Sequence, residues 1–127
     1  MAKVSHIVLP VADVDRSRDW YVNKLGFKFD RDRGPAVAIK DDSGLTIFLY
    51  KTTGTLSEQK ITLTIQVENV DRKHAELASQ GVEFVSPPKL QFWGYGAEVL
   101  DPDGYRNDLW DEVTMAKATR EMQKKSQ

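Results

Sequence analysis

The chain has 127 residues, of which 40% are apolar and 29% charged, a globular composition of the size of one ordinary domain. Its 18 Lys and Arg residues nearly balance 19 Asp and Glu, for a formal net charge of −1, so it lacks the positive field that holds nucleic acid or an anionic membrane surface. With no cysteine there is no disulfide framework, thiolate zinc site or Cys nucleophile, and any metal must be held by nitrogen and oxygen.

The first residues, Met1-Ala2-Lys3-Val4-Ser5-His6, lack the apolar stretch of a signal peptide, and no run approaches the ~20 apolar residues of a membrane span. A cytoplasmic protein is expected. Residues 4–11 form an apolar run of strand length that stops at Asp13, a residue suited to capping a helix. Val14, Arg18, Tyr21, Val22 and Leu25 follow at helical spacing, and Gly26 supplies a stop. Residues 27–29 resume an extended segment, and Asp30-Arg31-Asp32-Arg33-Gly34 reads as a solvated turn. Residues 36–39 and 45–50 read as strands joined by the turn Asp41-Asp42-Ser43-Gly44. Residues 52–59, with Gly54 and several hydroxyl side chains, read as a linker.

Beyond the linker the same grammar returns. Residues 61–67 predict a strand, Asn69 a cap, residues 70–80 a helix, Gly81 its stop and residues 82–85 an extended segment. Pro87-Pro88 reads as a rigid connector. Residues 93–100 and 105–111 read as strands joined by the turn Asp101-Pro102-Asp103-Gly104. Residues 112–127 predict a weakly amphipathic helix with a charged, fraying end. The duplication is visible residue by residue, because Val11-Ala12-Asp13-Val14-Asp15-Arg16 recurs as Val67-Glu68-Asn69-Val70-Asp71-Arg72, an offset of 56 (67 − 11). One strand-helix-strand-strand-strand unit is used twice.

Each unit has one helix for four strands, so only one sheet face can be covered. Alternation assigns the aliphatic sets Leu45, Ile47, Leu49 and Ile61, Leu63, Ile65 to that face. His6, Val8, Thr46, Phe48, Tyr50, Thr62, Thr64, Gln66, Arg106, Asp108 and Trp110 then point the other way. Two such sheets side by side would curl this second face into a concave wall of the kind that holds small molecules; the alternative is a solvated face with scattered threonines. Phe48, Tyr50, Thr62, Thr64, Trp93, Arg106 and Trp110 are the candidate ligand-binding residues. Aromatic walls suit planar or cationic ligands, although the same rings also serve a second small core or a dimer contact. Arg106 either anchors a ligand carboxylate or neutralises Asp108. Gly94 and Gly96 mark a flexible or closely approached strand. No nucleophile is evident: Ser5 belongs to the helix face, Ser43 and Ser86 to turns, and His74 to an exposed helix surface.

Three segments, Val4-Ser5-His6-Ile7-Val8-Leu9-Pro10-Val11-Ala12-Asp13, Trp20-Tyr21-Val22-Asn23-Lys24-Leu25-Gly26-Phe27 and Asp101-Pro102-Asp103-Gly104-Tyr105, together resemble the vicinal oxygen chelate superfamily. That superfamily holds glyoxalase I, bleomycin-resistance proteins, fosfomycin-resistance enzymes and extradiol dioxygenases. Pro87-Pro88 and Phe92-Trp93-Gly94 are similar to its glyoxalase-like and bleomycin-resistance-like branch. The resemblance implies an α+β fold of two tandem βαβββ units forming a curved mixed sheet with helices on the outer face. It implies a single domain over residues 1–112, with units at 3–51 and 60–112, and a helical tail at 113–127. A homodimer is expected.

The resemblance also implies where a divalent metal would be held: on side chains, usually His or Gln and Glu, from the first and fourth strands of each unit. His6 falls at the first of these positions, and Asp108 falls where the pattern has Glu. The repeat places Thr62 opposite His6 at the offset of 56, and Phe48 opposite Asp108 at the offset of 60 set by Gly44 and Gly104. Phenylalanine cannot coordinate, a neutral hydroxyl is a poor ligand, and Asp is shorter than Glu by roughly one C–C bond, ~1.5 Å. The expectation is therefore an incomplete metal site with no resident cofactor, His6 and Asp108 pairing with each other or forming an acid–base couple. Two functions follow. One is a bleomycin-resistance-like protein that binds a small aromatic or cationic molecule; the other is a metal-dependent lyase, isomerase or dioxygenase using His6 and Asp108.

Overall fold

The computed structural model describes residues 6–52, 61–91 and 93–125. The chain falls into two compact units, Met1–Gln59 and Lys60–Gln127. The first contains β1 (His6–Val11), α1 (Val14–Leu25), β2 (Lys28–Asp32), β3 (Ala36–Lys40) and β4 (Thr46–Lys51), with strand order β1-β4-β3-β2. The second contains β5 (Thr62–Gln66), α2 (Val70–Ser79), β6 (Phe84–Gln91), β7 (Gly94–Leu100), β8 (Arg106–Trp110) and α3 (Glu112–Lys125), with order β5-β8-β7-β6. In each unit the first strand runs parallel to the last, as a helical crossover permits, and the remaining neighbours are antiparallel. The architecture is α+β, two mixed four-stranded sheets built as tandem βαβββ units.

Local chemistry repeats as closely as the topology. Asp13 caps α1 by accepting the Arg16 N–H at 3.0 Å, and Asn69 caps α2 by accepting the Arg72 N–H at 2.9 Å. The Asp41 carboxylate accepts the N–H groups of Ser43 and Leu45 at 3.0 and 2.8 Å; the Asp101 carboxylate accepts those of Asp103 and Tyr105 at 2.9 and 2.8 Å. Both turns end on a glycine in the left-handed region, Gly44 at φ 93° and Gly104 at φ 89°, which an L side chain rarely adopts.

The aliphatic faces form the cores, with the exception of Ile61, which alternation assigns to the covered face but which stands just before β5 and is 40% exposed. Leu9, Val11, Val37, Ile39, Ile47 and Leu49 are no more than 3% exposed in the first unit, each contributing about 1.5–3 kcal/mol by burial. Tyr21 and Phe27 pack against each other at the end of α1 with ring centroids 5.5 Å apart. In the second unit Val70, Leu77, Val99 and Leu109 are fully buried.

Several boundaries differ from the sequence reading, for identifiable reasons. Asp30, Arg31 and Asp32 belong to β2 rather than to a turn, with an irregularity between Phe29 and Arg31. An edge strand tolerates charge because one side of it is open to solvent, and Asp30 is paired with Lys40 at 3.2 Å. Pro87 and Pro88 lie within β6 rather than in a connector. That strand is also an edge, and its register shifts between Ser86 and Lys89, where missing N–H donors cost no ladder bonds. Ser86 is a buried strand residue and not part of a turn. His74 is half-buried, its ring edge-on to Phe84 with centroids 4.6 Å apart. Val4, Ser5 and most of the linker lie outside the described residues.

Candidate functional site

In the second sheet, register decides which side chains meet. Thr62 pairs with Arg106, Thr64 with Asp108 and Gln66 with Trp110 across β5 and β8, while Glu98 pairs with Asp108 across β7 and β8. Period-two alternation puts these on the face opposite Leu63, Val99 and Leu109. Thr62, Thr64, Arg106, Asp108 and Trp110, joined by Trp93 and Met115, line a cavity of ≈ 560 Å³.

The apolar wall depends on two missing side chains. A Cβ at Gly96 would strike the Trp93 ring, with Cζ3 at 2.9 Å and Cη2 nearer still, and also the Leu109 carbonyl oxygen. Glycine is therefore what lets the indole lie against the strand. Its Nε1 is buried with no hydrogen-bond partner among the described residues, so packing alone seats the ring. A Cβ at Gly94, whose φ is 130°, would strike Met115 Sδ and approach Cε to 2.8 Å. Gly94 and Gly96 are thus sites of close approach, one of the two readings the sequence allowed.

Met115 sits in the first turn of α3, which packs on β7. The start of that helix is pinned by Asp111, only 2% exposed. Its Oδ1 accepts the Thr114 N–H at 2.8 Å and hydroxyl at 2.9 Å, and its Oδ2 accepts the Val70 N–H at the start of α2 at 2.7 Å. One carboxylate thus ties two helix beginnings together. Burial pushes the Asp111 carboxyl up, but these hydrogen bonds outweigh it and hold the group below its ordinary value.

The polar floor is a charge cluster. Arg106 Nε donates to Asp108 Oδ1 at 2.8 Å, and Arg106 Nη2 lies 2.8 Å from Glu98 Oε1. The Asp108 hydrogen bond, opposed by burial and reinforced by both carboxylate charges, raises the Arg106 pKa above its already high value. Of the two roles open to Arg106, neutralising Asp108 is the one the geometry displays. Tyr95 instead faces α2: its hydroxyl donates to Asp71 Oδ1 at 2.7 Å, and that bond is the main cause of its pKa being pushed up to about 12.

His6, Phe48 and Tyr50 stand on the first sheet. The His6 ring meets Phe48 edge-on at 5.0 Å, the Arg31 guanidinium carbon lies 5.8 Å from the Phe48 ring centroid, and Tyr50 is 38% exposed. As metal donors these residues fit poorly. Asp108 is engaged by a guanidinium, which competes with any cation for the same oxygen, and Thr62 offers a neutral hydroxyl. Among the described residues no three His, Asp or Glu side chains converge. Sequence reasoning missed Met115 and Glu98. Strand alternation back from the turn at Asp101 could have found Glu98, and the Asp111-x-x-Thr114 capping pattern could have placed Met115 in a first helical turn.

Residues 3–109 match the Glyoxalase/Bleomycin resistance protein/Dioxygenase superfamily. The chain belongs to that superfamily. A superfamily fold is also what the structural comparison shows: TnmS3, an antibiotic-binding protein from Streptomyces sp. CB03234, aligns with a TM-score of 0.75 at 24% identity, over 89% of this chain and 98% of its own. A glyoxalase/bleomycin resistance protein from the same strain aligns with a TM-score of 0.65 at 26% identity, over 82% of this chain and 96% of its own. An uncharacterised protein of Shewanella frigidimarina is 28% identical over 124 residues, 85% of this chain and 90% of that protein. No helix among the described residues is long and apolar enough to cross a membrane.

Proposed function

We propose that this superfamily member binds a small aromatic or cationic molecule in the cavity of its second unit, without a complete metal centre. The observation that carries this reading is the pairing of a Trp93, Trp110 and Met115 wall with an Asp108 already held by Arg106. Tryptophan faces and a thioether offer stacking and dispersion to a planar ligand, while the floor supplies fixed charges that orient it. The antibiotic-binding description of TnmS3 is in keeping with such a role. Arg106 at the Asp108 oxygen argues against the alternative, a metal-dependent lyase, isomerase or dioxygenase using His6 and Asp108.

The test is titration of planar aromatic compounds followed by tryptophan fluorescence. Trp110→Ala should weaken any ligand found by about fivefold or more, in line with ~1–3 kcal/mol for a lost stacking face. Unchanged affinity in Trp110→Ala and Trp93→Ala would remove the cavity from the binding reaction. Metal analysis is the complementary arm: a stoichiometric divalent ion lost in both His6→Ala and Asp108→Ala would overturn the metal-free reading in favour of the enzyme.

A further inference from the structure

The charge at the cavity floor narrows the ligand class. Arg106 is the one cation among the described residues that line the cavity, and two of its nitrogens are held: Nε by Asp108, whose side chain is 9% exposed, and Nη2 by Glu98, whose side chain is 16% exposed. Two carboxylates around one guanidinium leave the cluster at a formal charge of −1. Each carboxylate gives one oxygen to Arg106, and its second oxygen has no bonded partner among the described residues. An anchoring arginine would present its fork to the ligand; here two of its three nitrogens are already engaged by carboxylates. The same cavity is lined by two indoles, and an indole face attracts positive charge. Threonine hydroxyls at 62 and 64 complete the lining and carry no charge.

We infer that the cavity selects a planar organic cation, such as a protonated amine or amidine fused to an aromatic system, and discriminates against anionic analogues, with Arg106 acting as an internal counter-ion between Glu98 and Asp108. This inference rests on the reading of the cavity as a binding site and adds the sign of the ligand's charge. Glu98 is a positioning residue in it: it does not line the cavity, and acts by drawing off part of the guanidinium charge.

The test uses one ring in three charge states, acridine as the neutral probe, aminoacridine as the cation and acridine carboxylate as the anion, measured by calorimetry on the full chain at neutral pH. Aminoacridine should bind about tenfold or more tighter than acridine, the size expected for one partly screened charge contact, and the carboxylate weakest of all. Glu98→Gln, which keeps the shape and removes one charge, should lower the ratio of cation to neutral affinity severalfold. If that variant does not fold, as judged by circular dichroism, Asp108→Asn should lower the same ratio. Equal affinity for the three probes, or a preference for the carboxylate, would overturn the charge assignment. If Trp110→Ala still weakened all three in that case, aromatic binding in the cavity would stand. Failure of all three probes to bind would overturn both.

Discussion

Replacing Asp111 with alanine removes three hydrogen bonds made by one buried carboxylate, those from Val70 N–H, Thr114 N–H and the Thr114 hydroxyl. Loss of the cap on α3 costs about 1 kcal/mol. The Val70 N–H, on a residue that is fully buried, is left without an acceptor, at about 1–3 kcal/mol. Relief of the carboxylate's own desolvation offsets part of this, so a net loss of about 1–3 kcal/mol is expected, a sizeable share of a typical stability of about 5–15 kcal/mol. Urea unfolding followed by far-UV circular dichroism measures it. Asp111→Asn should fall between wild type and Asp111→Ala, because an amide accepts at one end and presents a donor to another donor at the other. The pH dependence is fixed in sign. The folded carboxyl titrates below the ordinary 3.8, so its stabilisation is present above that pH and lost as pH falls through the lower folded value. The gap between wild type and Asp111→Asn should be constant near neutrality and shrink only in acid below about pH 4. A loss under about 1 kcal/mol for Asp111→Ala, or an Asn variant as stable as wild type, would refute the account of a shared cap.

Gly96→Ala should destabilise by about 1–3 kcal/mol, since the added Cβ meets both the Trp93 ring and the Leu109 carbonyl, and displacement of the indole should appear as a red shift of tryptophan emission. Tyr95→Phe should cost about 0.5–1.5 kcal/mol for the lost bond to Asp71. Spectrophotometric titration should show the Tyr95 phenol ionising near 12; because its folded pKa lies above the unfolded 10, its contribution is intact below pH 10 and disappears as pH rises towards 12. Asp101→Ala should cost more than Asp41→Ala in thermal melts, by about 1 kcal/mol, because the two carboxylates accept corresponding backbone N–H groups and Asp101 and Tyr105 are buried, whereas the further Ser43 hydroxyl bond of Asp41 is exposed.

The repeat was legible because it is written in residues with strong local preferences. Asp13 and Asn69 as caps, Gly26 as a stop, and the two Asp-x-x-Gly turns each announce one geometry, and the aliphatic alternation of residues 45–50 and 63–65 names the buried face, while Ile61, one residue before its strand, is exposed. Edges were less legible. Pro87-Pro88 and Asp30-Arg31-Asp32 carry turn chemistry by composition, and only their position at the rim of a sheet makes them strand, a tertiary fact that no local window contains. At the site, alternation alone grouped Thr62, Thr64, Arg106, Asp108 and Trp110. Trp93 and Met115 reach the same cavity from a turn and from the final helix, through space opened by Gly96 and Gly94. Absent side chains leave no periodic signal, which is why Met115 went unseen.

The second unit does not stop where its repeat stops. A chain cut after Asp111 would retain every element the duplication supplies, yet Asp111 would lose Thr114 and the cavity would lose Met115. The dependence is short-range: Ala118 is the last described side chain of α3 to be buried, and Thr119, Arg120 and Glu121 are exposed. About 10 Å of helix, two turns, is what the cavity requires. For trimming or fusion, the second repeat is therefore to be kept together with the first two turns of its tail, through Ala118, and a label or a tether is better attached at the exposed residues Thr119 to Glu121 than at Asp111.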